Sequence, residues 1–327
     1  MTLSKKKKPA AASSVVSGEA LGMDANIAML VKERNANNAW HKLARNKTAL
    51  VGFFIVAFMV VIAVFAPLIA PYDPNAINPI LPFKGIGTPG HLFGTDDLGR
   101  DILSRIIYGS RISMIVAVGA TIVGAIIGVL IGLAAGYFGG WIDAVFMRIM
   151  DGMFSFPFIL LAMILITVLG NGVMNVILAI GIASVPGFAR VTRGQVLIVK
   201  EEEYCNACRV VGVSPVRLLF LHILPNCVSQ IIVYATLRIA SAIISEASLS
   251  FLGLGIALPT ASWGSILRVG RDCLTTAPHV AGTAGAFILV TVIGFNLLGD
   301  GIRDVMDPKM KHRLPDRNMF LIHLLLR

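Results

Sequence analysis

From Leu50 to Ala70 the chain runs for 21 residues without a charged side chain. At about 1.5 Å of rise per residue, a helix of that length crosses a hydrocarbon core of about 30 Å. Five further apolar runs follow: Ile112–Ala135, Gly152–Leu169, Gly172–Ala189, about Val228–Gly255, and Val280–Gly299. The sequence therefore predicts an all-α, polytopic membrane protein with six transmembrane helices. Composition agrees, since 56% of the 327 residues are hydrophobic and only 14% are charged.

The net charge of +10 would suit a nucleic-acid partner, but the basic residues sit at the ends of apolar spans. Nucleic acid is therefore not expected. The polybasic start, Lys5–Lys8, reads as a solvated tail that also suits an anionic lipid surface. The cluster Lys42, Arg45 and Lys47 precedes the first span and places the N-terminus inside. With six spans, both termini are cytoplasmic. Lys and Arg then concentrate on the inner side even when everything before Leu50 is set aside.

The connections carry the remaining signal. Residues 1–48 are polar, contain no apolar core of a cleavable signal, and read as a largely disordered tail with room for a short helix near Ile27–Val31. Tyr72–Arg111, rich in Pro, Gly and Asp, must lie outside, ending in an amphipathic surface helix over Asp101–Tyr108. Asp96, Asp97 and Asp101 lack the spacing of a calcium loop. Gly140–Asp151 reads as a short inside turn, and Gly170–Asn171 as a tiny outside loop. Pro157 and Pro186 are expected to bend or end the third and fourth helices. The final nine residues, MFLIHLLLR, are too short to span.

Within the spans, Gly124, Gly128, Gly132 and Gly136 recur every four residues and form one small face, a helix-packing surface. Arg238 and Glu246 lie inside the fifth span, where a charge marks either a transport path or a structural contact. Eight positions separate them, about 12 Å along the axis and about 80° around it. Each therefore needs its own partner. Glu246 is placed in or beside a polar route, or as an anchor of the turn around Ser248–Gly255.

The longest polar interruption of the second half is EEEYCNACRVVGVSPVRLLFLHILP, Glu201–Pro225. A helix over about Glu203–Val211 is predicted to stop at Gly212, and a second to start at Ser214 with Pro215 in its first turn. Pro225 is expected to close the segment before the fifth span. Cys205 and Cys208 form a C-x-x-C, but no second pair with ligand spacing accompanies it. The expected role is small-residue packing, with no metal. The sequence has no G-x-x-x-x-G-K-[ST], no H-E-x-x-H and no G-x-S-x-G. It offers no catalytic set and no ATP-binding loop, so it reads as a transport subunit rather than an enzyme.

This run resembles the cytoplasmic loop of permease subunits from binding-protein-dependent ABC importers, written E-A-A-x3-G-x9-I-x-L-P. Ala207, Gly212, Leu224 and Pro225 match, whereas Asn206, Cys208 and His222 depart. Tyr204, Arg209, Ser214 and HILPN, with FGTDDLGRDILSRIIYGSRIS (Phe93–Ser113) and EASLSFLGLG (Glu246–Gly255), are similar to the dipeptide, oligopeptide and nickel branch. The resemblance covers about Ala39–Pro308.

The resemblance implies an inner-membrane importer permease forming half of a path for di- or oligopeptides, with nickel or another small solute as the alternative. It implies a second homologous permease, two cytoplasmic ATPase subunits and an extracytoplasmic substrate-binding protein. No cofactor would bind this chain, and ATP and Mg would act on the partners. Tyr204, Asn206, Ala207, Cys208, Arg209, Gly212, Leu224 and Pro225 would couple it to the ATPases. The expected divisions are a tail (1–48), the first helix and outer loop (49–111), the importer transmembrane domain (112–308) with its coupling loop (200–226), and an inner tail (309–327). An ion-coupled secondary transporter is the other transport reading, but no convincing internal repeat supports it.

Overall fold

The computed structural model describes residues 46–306. The tail before residue 46, the helix expected near Ile27–Val31, and MFLIHLLLR lie outside the described residues. Among the described residues the regular elements are all helices, with no strands. The helices are α1 (Lys47–Val64), the short α2 (Ala66–Ile69), α3 (Ile102–Phe138), α4 (Gly140–Phe154), α5 (Phe158–Leu169), α6 (Val173–Val199) and α7 (Glu203–Val210). Then come α8 (Pro215–Leu218), a π turn (Leu219–Ile223), α9 (Leu224–Phe251), α10 (Trp263–Asp272) and α11 (Pro278–Met306). Five are long and apolar enough to span a membrane, counting Pro215–Phe251 as one; taking α4 and α5 as a single bent span makes six.

The packing of α3 on α6 favours six. A β-carbon built on Gly124, Gly128, Gly132 or Gly136 would lie 2.9, 2.6, 2.5 or 3.1 Å from the carbonyl oxygen of Gly181, Val185, Ala189 or Arg193, respectively. The glycine column of α3 therefore rests directly on a carbonyl column of α6. Only residues without side chains permit this closeness. Both columns ascend together, so α3 and α6 run parallel. The chain must cross back between two parallel neighbours, and α4 with α5 is the apolar stretch that can do so.

Several boundaries differ from those expected. The surface helix Asp101–Tyr108 does not exist as a separate element; it is the start of α3. Asp101 caps that helix through the Ser104 amide at 2.7 Å, and no breaker interrupts the ladder thereafter. Arg105, inside the stretch expected to lie along the membrane surface, is buried, donating to the Pro74 carbonyl at 2.9 Å and facing Asp96 at 3.5 Å.

Gly140–Asp151 is not a turn but most of α4; the reversal is confined to Gly139 and Gly140, both at positive φ. The third span is broken at Ser155–Pro157, where α4 and α5 meet at 93°. The bend expected of Pro157 lies there. Pro186 does not end its helix, since α6 continues through it to Val199. Arg190 and Arg193 thus belong to α6, where they pair with Asp151 and Asp143 of α4, each at 2.6 Å.

Pro225 does not close a segment either. Pro215–Phe251 is continuous. The Leu224 amide reaches the Leu219 carbonyl, five residues back, in a widened turn. A proline ring clashes with the carbonyl four residues before it. The wider turn just ahead of Pro225 relieves that crowding, which lets the helix proceed.

Candidate functional site

Two groups of the predicted residues occupy distinct places. The first is the 200–226 loop. α7 begins with Glu203 and ends with Arg209 in its last turn, charges that match the helix dipole at both ends. Gly212 has φ +83°. Its amide bonds to the Arg209 carbonyl at 3.1 Å, and the Val213 amide bonds to Cys208 at 3.0 Å. These two bonds make a Schellman stop. Nothing lies within 4 Å of a β-carbon on Gly212, so its constraint is backbone conformation rather than space.

One side of α7 is pinned. Cys205 is fully buried among Leu133, Val196, Val199, Leu218 and Ile223, a small core separate from that of the main bundle. Arg209 donates to the Lys200 carbonyl at 3.2 Å and to the Asn206 side chain at 2.8 Å. Asn226 of α9 donates to the Tyr204 hydroxyl at 3.0 Å. Desolvation, and after it the neighbouring Cys205 thiol, push the Tyr204 phenol up to about 12. Lys200 donates to the Gly136 carbonyl at 3.0 Å, tying the loop to the end of α3.

The other side is open. Asn206 and Ala207 are exposed, and Val210 and Val211 expose 88% and 82% of their surface. Cys208 faces inward, half-buried against the small core. The four described cysteines are free, and no cluster of metal-ligating side chains occurs among the described residues. Leu224 and Pro225 lie at the start of α9, within the continuous helix rather than in a loop.

The second group surrounds Glu246, which has no exposed surface. Its carboxyl accepts from Ser250 at 2.9 Å, Ser262 at 3.0 Å and Ser113 at 3.1 Å. Ser262 also caps α10 in a reciprocal pair with Ser265. Ser113 accepts from the Trp263 amide at 3.2 Å, and the Trp263 indole donates to the Ile106 carbonyl at 3.1 Å. A β-carbon on Gly264 would stand 2.6 Å from Ser250 and 3.1 Å from the Glu246 carboxyl, so α10 sits tightly on α9 here. Glu246 therefore joins α3, α9 and α10 through three hydroxyls, with no cation among these partners. Glu246 itself lies inside α9, and its bond to Ser250 reaches into the segment Ser248–Gly255.

Arg238 does not meet Glu246. It donates to Ser184 of α6 at 2.9 Å and lies over the Phe158 ring at 4.9 Å. Its Nε is buried without a partner among the described residues. Sequence reasoning missed Ser113, Ser262 and Asn226. Only Ser250, four residues beyond Glu246 on the same helical face, was within reach of a local pattern.

Residues 128–312 match the family described as binding-protein-dependent transport system inner membrane component, and residues 36–83 match the N-terminal TM domain of oligopeptide transport permease C. The glutathione transport system permease protein GsiD of Escherichia coli O6:K15:H31 (strain 536 / UPEC) is 45% identical over 290 residues, covering 88% of this chain and 96% of that protein. The protein of the same name from Shigella boydii serotype 4 (strain Sb227) gives the same figures. A solved structure of the MetNI methionine ABC transporter in inward-facing conformations shares the fold. Its TM-score is 0.50 at 19% identity, over 63% of this chain and 96% of that one. This helical, multi-pass chain belongs to the inner-membrane components of binding-protein-dependent transport systems and is a permease of an ABC importer, a transport component rather than an enzyme.

Proposed function

We propose that this permease supplies half of the path of an ATP-driven importer for short peptides, and that α7 is where a cytoplasmic ATPase docks. The observation that carries the docking reading is the two-sidedness of α7. One side is pinned by buried Cys205, whereas the opposite side leaves Val210 and Val211 in the open beside Ala207. Bare apolar surface of this kind marks a protein contact. The small Ala207 side chain lets another surface approach closely.

In this reading a second permease completes the path, two ATPase subunits bind ATP and Mg on the inner side, and an external binding protein delivers the substrate. Both termini lie inside and the 71–101 segment outside, a reading that the distribution of Lys and Arg supports. A relative named for glutathione transport, together with the match to an oligopeptide permease domain, supports short peptides as the substrate class.

The test is co-purification of the tagged chain with untagged partners, followed by ATP hydrolysis in liposomes with the binding protein and glutathione, dipeptides or nickel. Stimulation by a peptide is the expected result. Stimulation by nickel alone would move the substrate to another class, and transport by the lone chain without ATP would overturn the reading.

A further inference from the structure

Between α1 and α3 lies an apolar groove of about 650 Å³, walled by Val60 and Val64 on one side and Val118 and Ile122 on the other, with Phe295 of α11 lining it as well. A second cavity of about 760 Å³ is lined by Tyr72, Asp73 and Tyr108. Arg111 and Ile115 line both, so the two form one cleft, apolar along its length and polar at its head.

The charges at the head are sparse and opposite. Arg111 and Asp73 are the charged residues lining the polar cavity. Arg111 is exposed and makes no hydrogen bond or ion pair among the described residues. Its neighbours along the cleft, Met114, Ile115 and Val118, are apolar. A guanidinium beside such surface is costly unless it reaches the headgroup layer and finds an anion there. Asp73 is oriented, because its Oδ1 accepts from the Asn75 amide at 2.7 Å.

We propose that this cleft holds one aminophospholipid from the leaflet on the side of residues 71–101. An acyl chain fills the groove, the phosphate sits on Arg111, and the headgroup ammonium faces Asp73. The length agrees: Arg111 to Ile122 covers about 16 Å of helix, close to half of a hydrocarbon core of about 30 Å. A helix from another subunit would continue across the membrane, whereas this groove stops after one leaflet. It would also lack the phosphate-and-amine pair that matches the two charges. A planar guanidinium can donate two parallel hydrogen bonds to one phosphate.

The test is native mass spectrometry of the full chain, released from detergent with defined lipids. Dioleoylphosphatidylethanolamine, dioleoylphosphatidylglycerol and dioleoylphosphatidylcholine are offered at equal concentration. The wild type should retain one phosphatidylethanolamine at least ten-fold more than phosphatidylglycerol. Arg111→Gln should lose that retention about ten-fold while unfolding at the wild-type temperature. Ile115→Trp, which plugs the groove, should lose it as well.

Equal retention of the three lipids by the wild type would overturn the proposal whether or not the variants fold. So would undiminished retention in both variants. Disulfide capture of Val118→Cys by the second permease in the assembled complex would assign the groove to a protein instead. The importer reading survives each of those outcomes, because it does not depend on this cleft.

Discussion

Gly132 of α3 and Ala189 of α6 touch backbone to backbone; a β-carbon on Gly132 would stand 2.5 Å from the Ala189 carbonyl oxygen. No rotamer can relieve that clash, because the obstacle is main chain. Gly132→Leu should therefore force the helices apart and destabilise the protein by about 1–3 kcal/mol or more. Gly194→Ala on α6 is the matched control, since nothing lies within 4 Å of its β-carbon. It should be neutral or stabilise by up to about 1 kcal/mol. Thermal unfolding of both variants in detergent checks the contrast.

Gly212 and Ala207 separate two kinds of damage at the loop. Gly212→Val has room for its side chain but must hold φ +83°, at a cost of about 1–2 kcal/mol. It should loosen the Schellman stop and weaken ATPase association. Ala207→Trp is exposed and should leave folding unchanged while blocking close approach of a partner. Pull-down of the ATPases and substrate-stimulated hydrolysis measure both effects. Normal values for both variants would remove the loop as the coupling element.

Glu246→Ala should leave the hydroxyls of Ser113, Ser250 and Ser262 without their shared acceptor in a closed interior. One stranded buried donor costs about 1–3 kcal/mol, so the variant should unfold earlier or fail to assemble. Glu246→Gln retains one carbonyl acceptor and should fall between Ala and wild type. The graded order, read by thermal unfolding, distinguishes a structural hub from a residue that contacts substrate.

Orientation can be read at two exposed positions. Ile80 exposes 85% of its surface in the 71–101 segment, and Val210 exposes 88% at the loop. In a background with the native cysteines replaced, Ile80→Cys should react with an impermeant maleimide from outside intact cells. Val210→Cys should react only after permeabilisation. The reverse pattern would invert the topology.

What could be read from the chain follows the range of the forces involved. The spans, the glycine face, the stop at Gly212 and the start at Pro215 each depend on residues within one or two helical turns, and each leaves a local pattern. The helix boundaries that differ depend on more distant conditions. Arg105 is buried against the Pro74 carbonyl, 31 positions away, and no local pattern announces that contact. Ser113 lies 133 positions from Glu246, and no periodicity connects them. Pro225 reads as a terminator by its own chemistry, yet the π turn ahead of it makes room for its ring.

That π turn also sets the mechanics of the longest element in the second half of the protein. Pro215–Phe251 is a single rod of about 55 Å, with the Gly212 turn at one end and the Glu246 hub near the other. A stiff rod displaced at one tip carries its far tip along, and such a rod yields first where its hydrogen-bond ladder is widest. Here that compliant joint lies just inside the loop end, ahead of Pro225. A push on the loop would therefore arrive at the hub as tilt about a pivot rather than as a wave of unfolding along the helix.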